Sequence, residues 1–242
     1  MKKTFLTLSL FLTATIAFAQ DKGFVTVNFG SSIPLGDFAG TDINNNSSGF
    51  AQTGYLFDAT LGLKFSKYFG TTILIRSQVN QFDEETFAEH ATKEIGYKAT
   101  VNSTAWYIGN YMIGTYGSFP ISKNFTLEPR MMVGFLTATS PEMTLKATAG
   151  SIPFWVTKNS SSSGSLSYLF GIGYKVNAGK HICISFNLDY LGTSTQFNNV
   201  ETTDSFGGID FTSWNQNIET FSLSAGIGFR FGTKKKLTIN DI

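Results

Sequence analysis

The chain has 242 residues, of which 42% are hydrophobic, 15% aromatic and only 14% charged, and its formal net charge is +1. Charged residues make up about a quarter of an average soluble domain, so this chain is unusually poor in charge. Its mean hydropathy of +0.01 and its 24 Phe residues exclude intrinsic disorder, which needs low hydrophobicity and high net charge. The near-neutral charge predicts no nucleic-acid partner, and the single cysteine excludes an internal disulfide framework.

The N-terminus has the pattern of an export signal. Lys2 and Lys3 precede the apolar stretch Thr4–Phe18, and Ala17-Phe18-Ala19 supplies a small-x-small cleavage pattern. The sequence therefore predicts a signal peptide over residues 1–19, cleaved before Gln20. Beyond it, no window approaches the roughly 18 consecutive apolar residues of a membrane helix.

Eight segments of the remaining chain alternate apolar residues with small or polar ones. A period of two predicts β-strands, and none of the chain is convincingly helical. In chain order the predicted strands are Phe24–Gly30, Tyr55–Phe65, Thr71–Asn80, Thr104–Gly117, Phe125–Thr139, Leu166–Val176, Ile182–Tyr190 and Phe221–Phe231. Pro129 lies inside the fifth segment and predicts a bulge or a missing ladder bond there, because proline has no N–H.

The connections between these segments alternate strictly in length. Long ones, rich in Asn, Ser, Thr and Gly, follow the first, third, fifth and seventh strands, whereas residues 66–70, 118–124 and 177–180 form short links. This alternation is typical of an outer-membrane barrel with short periplasmic turns and long external loops. A secreted sandwich would also alternate, but it would need more charge on its outer faces than this chain has.

The sequence thus predicts an all-β fold, an eight-stranded antiparallel up-and-down transmembrane β-barrel over residues 20–231. Four long external loops and a basic periplasmic tail over residues 232–242 complete it. The predicted partners are outer-membrane lipid and, through the last strand, the barrel-assembly machinery.

Three stretches also resemble a known family. Gly30–Phe38, Leu127–Gly134 and the ending Gly226–Phe231 are similar to the outer-membrane β-barrel domain family, whose members are often labelled "porin family" proteins. The resemblance implies an outer-membrane location and supplies no agreed catalytic residues. The chain departs from the usual ending because it continues beyond the final aromatic, Phe231.

Eight charged residues have the phase of the inward face. A barrel of eight strands is just wide enough for side chains to fill, so they are expected to form a paired polar network that plugs the lumen. The alternative is a narrow ion path. The residues are Asp58, Lys64, Arg76, Glu128, Arg130, Lys175, Asp189 and Arg230.

Enzymatic chemistry has weak support in the sequence. His181 and Ser185 share a strand, but residues four apart on a strand lie about 13 Å apart, too far for a nucleophile–base hydrogen bond. His90 lies in a carboxylate-rich stretch, Asp83–Glu89, that is more typical of a solvated loop than of a metal site. We therefore expect no catalytic residue, cofactor or metal.

Binding is expected on the long loops, which a rigid scaffold would display. Phe154, Trp155 and Trp214 are the candidate contact residues. The apolar run Ile152–Val156 fits either a short strand extending the barrel or a patch that engages a partner surface or glycan. The expected role is structural or surface-binding. A small-solute or ion channel is the alternative, and an outer-leaflet lipid-modifying enzyme ranks third.

Overall fold

The computed structural model describes residues 23–232, and both the predicted signal peptide and nearly all of the predicted tail lie outside this range. The described part contains twelve strands and two helices. In chain order they are β1 (Gly23–Leu35), α1 (Gly36–Ala39), β2 (Gly54–Lys64), β3 (Phe69–Asn80), α2 (Glu84–Ile95), β4 (Ala99–Ser103), β5 (Trp106–Gly117), β6 (Phe119–Pro120), β7 (Phe125–Thr139), β8 (Met143–Ala149), β9 (Ile152–Lys158), β10 (Ser162–Asn177), β11 (Ile182–Asp204) and β12 (Ile209–Phe231). Neither helix of residues 23–232 is long and apolar enough to cross a membrane.

Eight of the strands pair in a closed circuit. The order is β1-β2-β3-β5-β7-β10-β11-β12, every neighbouring pair is antiparallel, and β12 pairs back with β1. We call this circuit the ring. The predicted all-β antiparallel fold is confirmed, and each predicted strand overlaps one strand of the ring.

The two ends of the ring differ in their connections. At one end, the turn end, residues 65–68, 118–124 and 178–181 join successive strands, and Gly23 pairs with Phe231. At the other, the loop end, lie both helices and the strands β4, β8 and β9. β9 pairs with β8 and with the far end of β11, so Ile152–Lys158 is a strand that extends the sheet.

The prediction of a long loop between the last two strands is wrong, because this stretch is a paired hairpin. β11 and β12 each have 23 residues and pair from Ile182↔Phe229 to Thr203↔Ile209, with one register shift between Phe197 and Val200. Only residues 205–208 connect them. Beyond Tyr190 the hairpin is rich in Thr, Ser, Asn and Gln, so hydrophobicity no longer alternates, although burial still alternates over Thr193–Phe197.

The prediction that no part of the chain is helical is also wrong. α2 occupies the stretch interpreted as a solvated loop, with Asp83 as its N-cap accepting a hydrogen bond from the Thr86 N–H. Gly96 ends it in the left-handed conformation, at φ 75°. Both caps are ordinary helix signals, and Ala91 is the residue that α2 buries.

The outer face of the ring is an apolar belt. Every strand of the ring contributes large exposed apolar side chains to it, and no strand alternates out of phase with its neighbours. Members of the belt include Val27, Phe57, Ile73, Ile75, Tyr111, Ile113, Met131, Val133, Phe135, Phe170, Ile172, Ile184, Phe186, Leu223 and Ile227. A belt that continues around eight strands far exceeds the few hundred Å² of contiguous apolar surface found on soluble monomers.

The interior of the ring contains an apolar core as well as polar residues, so the predicted polar network fills only part of the lumen. On β7, β10, β11 and β12 the inward residues change from polar near the turn end to apolar near the loop end, whereas β1 and β3 keep Ser32, Gln78 and Asn80 inward near the loop end. That core contains Leu74, Trp106, Ile108, Met112, Met132, Leu136, Leu169, Leu191, Phe197 and Ile218, with Phe38 of α1 packed into it. Serine and threonine interspersed on the same inward face obscured this change in the sequence.

Pro129 causes a gap in one ladder without causing a bulge. β7 keeps an unbroken register with β10 through Ile172↔Pro129. On the other side its pairing with β5 stops at Tyr116↔Arg130 and resumes with β6 at Phe119↔Leu127. The missing-bond alternative therefore describes this position, because proline has no donor for the second neighbour.

Candidate functional site at the loop end

The polar network inside the ring is built around Arg76. Its guanidinium is fully buried and contacts the carboxylates of Asp58, at 3.0 Å, and Asp189, at 2.5 Å. Arg130 holds the same Asp189 carboxylate with two bonds, of 2.9 and 2.7 Å. These four residues come from β2, β3, β7 and β11, so their ion pairs cross the lumen.

A second pair lies closer to the turn end. Lys175 donates to Glu128 at 2.6 Å, and both side chains are nearly buried. Arg230 departs from the expected inward network, since it donates to the carbonyls of Gly179 and Lys180 in the turn below. Lys64 lies at the same mouth of the ring, near Glu128 and Lys175.

This network leaves little room for a pore. Between Tyr116, Glu128 and Lys175 is an enclosed space of about 20 Å³, enough for roughly one water molecule. The apolar core and the buried polar residues around it occupy the lumen toward the loop end. The buried charges therefore satisfy one another inside a packed lumen.

A much larger cavity opens at the loop end, and we call it the loop-end cavity. Its volume is about 320 Å³. Five aromatic side chains line it: Phe50, Phe82, Phe87, Trp106 and Trp214. The remaining lining residues are mostly uncharged polar or aliphatic, among them Asn45, Asn46, Ser48, Ser140, Met143, Val156, Thr212 and Gln216.

The floor of the cavity depends on a close approach at Gly49. The Trp106 indole N–H donates to the Gly49 carbonyl at 2.9 Å, and the Trp106 ring packs edge-on against Phe38. A Cβ on Gly49 would lie 2.5 Å from the Phe38 carbonyl oxygen, so no larger residue fits without movement. Segment 43–50 is thereby held against the top of the apolar core.

Phe50 has a strained backbone at the cavity wall. Its φ is 47°, a left-handed conformation that is unusual for a bulky residue. Backbone bonds to Gly40 and from Asp83, at 2.9 and 2.7 Å, fix it. Its ring then packs on both Phe82 and Phe87, with centroids 5.5 and 5.0 Å away.

Trp214 forms the opposite wall. Its indole stacks on Phe197 of the apolar core, with centroids 5.0 Å apart and an interplanar angle of 21°. The Lys158 ammonium lies over the other face, 3.5 Å from the ring centroid, and is a cation–π contact. Burial lowers the pKa of the Lys158 ammonium to about 8, because the surroundings disfavour its charged form.

The three predicted loop residues do not form one site. Trp214 lines the loop-end cavity, whereas Phe154 packs against the small cluster of Ala91, Ala99 and Ala147. Trp155 is 40% exposed on the other face of β9. Successive residues of a strand point to opposite faces, so Phe154 and Trp155 could not share a pocket.

Sequence reasoning missed Trp106 and Lys158. Trp106 stood within a predicted strand of ambiguous phase, and Lys158 had no neighbouring signal to distinguish it from a solvated lysine. Only the pairing of β9 with β11 brings Lys158 beside β12.

The residues considered for catalysis do not contact one another and bond to other partners. Ser185 is buried and donates to Asn28 Oδ1 at 2.6 Å, while the exposed His181 ring stacks on Phe229 and contacts the Arg230 carbonyl. Glu84, near His90, accepts from the backbone N–H of Ser103. Residues 23–232 contain no group of three or more His, Cys, Asp or Glu side chains placed to hold a metal ion.

Comparison with known proteins gives the fold. No protein-family model matches the chain, and no curated protein matches it. Among solved structures, a major outer membrane protein from Thermus thermophilus is similar at 11% identity with a TM-score of 0.51, covering 87% of this chain and 99% of that one.

Two further solved structures are similar over comparable lengths. The attachment invasion locus protein Ail of Yersinia pestis has 11% identity, a TM-score of 0.44 and coverages of 87% and 99%. The outer membrane protein OprG from Pseudomonas aeruginosa has 9% identity, a TM-score of 0.43 and coverages of 87% and 96%. The similarity to the Thermus protein shows that the chain has the fold of an outer-membrane β-barrel protein.

Proposed function

We propose that this chain is an integral outer-membrane β-barrel whose loop-end cavity binds a ligand at the cell surface. The ring of eight strands spans the membrane, with the turn end in the periplasm and the loop end outside. The apolar belt is the observation that carries the membrane assignment, since lipid is the environment that such a surface requires. Outer-membrane lipid and the barrel-assembly machinery, acting on β12, are its expected partners.

The loop-end cavity supports the binding role. It combines aromatic walls, a strained Phe50 and convergent polar groups on a rigid scaffold, which are the usual properties of a ligand site. The polar network and the apolar core inside the lumen favour this role over conduction. The proposal includes no catalytic reaction, because Ser185 and His181 bond to other partners.

Surface display can be tested with single cysteines in a Cys183→Ser background. Ser205→Cys lies in the hairpin turn at the loop end, and Lys123→Cys lies at the turn end. A membrane-impermeant maleimide should label the first on intact cells and the second only after the envelope is broken. Labelling of Lys123→Cys on intact cells would contradict the orientation.

Ligand binding can be tested with labelled nanodiscs carrying the mature protein, applied to an array of glycans and small molecules. A Ser140→Trp variant places a large ring in the cavity wall and should lose the binding that the wild type shows. Thr100→Trp, at an exposed position of β4, is the matched control and should keep it. Binding that both variants retain, or none by the wild type, would contradict a ligand role for the cavity.

A further inference from the structure

The loop-end cavity has an uneven distribution of charge. Of the described residues that line it, Lys158 is the one that is charged, and none is Asp or Glu. A cavity with one cation and no acid attracts a ligand with one negative charge and disfavours cationic ligands.

Lys158 also has no acidic partner of its own within residues 23–232. The ion pairs there join Arg76 with Asp58 and Asp189, Arg130 with Asp189, and Lys175 with Glu128. Asp204, on the strand paired with β9, accepts instead from the backbone N–H groups of Phe206 and Gly208.

The half-buried Lys158 ammonium has no hydrogen-bond acceptor from the protein within residues 23–232. The Trp214 ring covers it on one side, but a ring face does not replace the three acceptors that an ammonium can use. Burial without a paired charge is costly, and it lowers the pKa of Lys158. A ligand oxyanion in the cavity would remove that cost.

The rest of the cavity suits an apolar body. Phe50, Phe87 and Trp106 present aromatic surface, and Met143 and Val156 add aliphatic surface. The volume of about 320 Å³ is at the small end of the range for ligand pockets, which is about 300–1,000 Å³.

We propose that the loop-end cavity selects small amphipathic carboxylates, with the carboxylate paired to Lys158 and the hydrocarbon or aromatic body against the Phe50–Trp106 side. This inference rests on the proposed binding function and adds the chemical class of the ligand. The two can be tested separately, since a neutral ligand would support the proposed binding function without supporting the preference for carboxylates.

The experiment is calorimetric titration of the mature protein in phosphatidylcholine nanodiscs, with empty nanodiscs as the blank. The probes are 4-phenylbutyrate, 4-phenylbutanol and 4-phenylbutylamine at pH 7, which share one apolar body and differ in the head group. The wild type should bind the acid about tenfold more tightly than the alcohol and the amine weakest. Lys158→Met should bring acid and alcohol to within about twofold, whereas Lys146→Met, at an exposed position of β8, should keep the tenfold preference.

The remaining outcomes overturn the inference in distinguishable ways. Equal binding of acid and alcohol by the wild type rejects the carboxylate preference and leaves the proposed binding function intact. A preference that Lys158→Met retains also rejects it, provided that gel mobility before and after heating shows the variant to be folded. Absence of binding by all three probes rejects this ligand class, and the array with Ser140→Trp then decides the binding function separately.

Discussion

The ammonium of Lys158 lies 3.5 Å from the centroid of the Trp214 indole ring and joins strand β9 to strand β12 at the loop end. Trp214 in turn stacks on Phe197, which belongs to the apolar core of the ring. The cavity wall is thus continuous with the core, and changes at the site should be detectable as changes in the packing of the ring.

The pKa of Lys158 makes a direct prediction about its reactivity. Burial lowers it to about 8, so the neutral, nucleophilic amine should form as pH rises through about 8. Lys146, at an exposed position of β8, is the control lysine. Reductive methylation at a series of pH values, read by peptide mass spectrometry, checks this; identical profiles for the two lysines would contradict it.

The same shift has a consequence for stability. Because the pKa of Lys158 is lower in the folded protein than in the unfolded chain, the buried ammonium costs stability at pH values below about 8. That cost should disappear as pH rises from about 8 toward about 10.4. Lys158→Met should therefore be stabilised relative to the wild type at pH 7, and the difference should shrink by pH 10 in urea titrations. A difference that grows with pH would contradict the assignment.

Arg76→Met should be among the most destabilising single changes in the ring. It would leave the buried carboxylates of Asp58 and Asp189 without their shared partner, at a cost of about 3–5 kcal/mol in the free energy of unfolding. Urea unfolding followed by heat-modifiable gel mobility measures this. Lys98→Met, at an exposed position, is the control and should change little. A loss below about 1 kcal/mol for Arg76→Met would show that the ion pairs are dispensable.

Gly49→Ala should disturb the floor of the cavity. The new methyl group would meet the Phe38 carbonyl oxygen at 2.5 Å, and overpacking of this kind costs about 1–3 kcal/mol. The near-ultraviolet circular dichroism of the tryptophans should change because Trp106 bonds to the Gly49 carbonyl. Gly109→Ala is the matched control, since its methyl group would meet only the flexible Thr137 hydroxyl. Equal effects in the two variants would argue against a special role for Gly49.

Purified protein in planar bilayers should show no stable open conductance. The apolar core still fills part of the lumen when Arg76 is removed, so Arg76→Ala should remain closed as well. Steady conductance from either protein would restore the channel alternative.

The strands of the ring could be predicted from the sequence because outward and inward residues alternate in hydrophobicity there. Phe125–Thr139 matches β7 at both ends. The alternation is lost beyond Tyr190, where Thr, Ser, Asn and Gln interrupt apolar residues such as Phe197 and Ile218, and the far halves of β11 and β12 were therefore missed. The N-cap Asp83 and the C-cap Gly96 of α2 are recognisable in the sequence, but the many carboxylates of Asp83–Glu89 favoured the interpretation as a solvated loop.

The site was less accessible to sequence reasoning than the fold. Inward charges follow from strand phase, so Asp58, Arg76 and Asp189 could be placed on one face. Which of them meet depends on pairing between strands far apart in the chain, as for Arg76 and Asp189. The cavity depends on an unusual backbone at Phe50 and on the β9–β11 pairing, neither of which leaves a periodic pattern.

Nitroxide scanning of β7 tests the central claim, that the belt faces lipid, most directly. Single cysteines at positions 131–135 in a Cys183→Ser background would be labelled and their collision rates with oxygen and with a water-soluble nickel complex measured in lipid bilayers. Labels at Met131, Val133 and Phe135 should be accessible to oxygen and protected from nickel, and those at Met132 and Gly134 should be protected from both. Strong nickel accessibility at Met131, Val133 and Phe135 would show that the belt faces water and contradict a membrane-spanning ring.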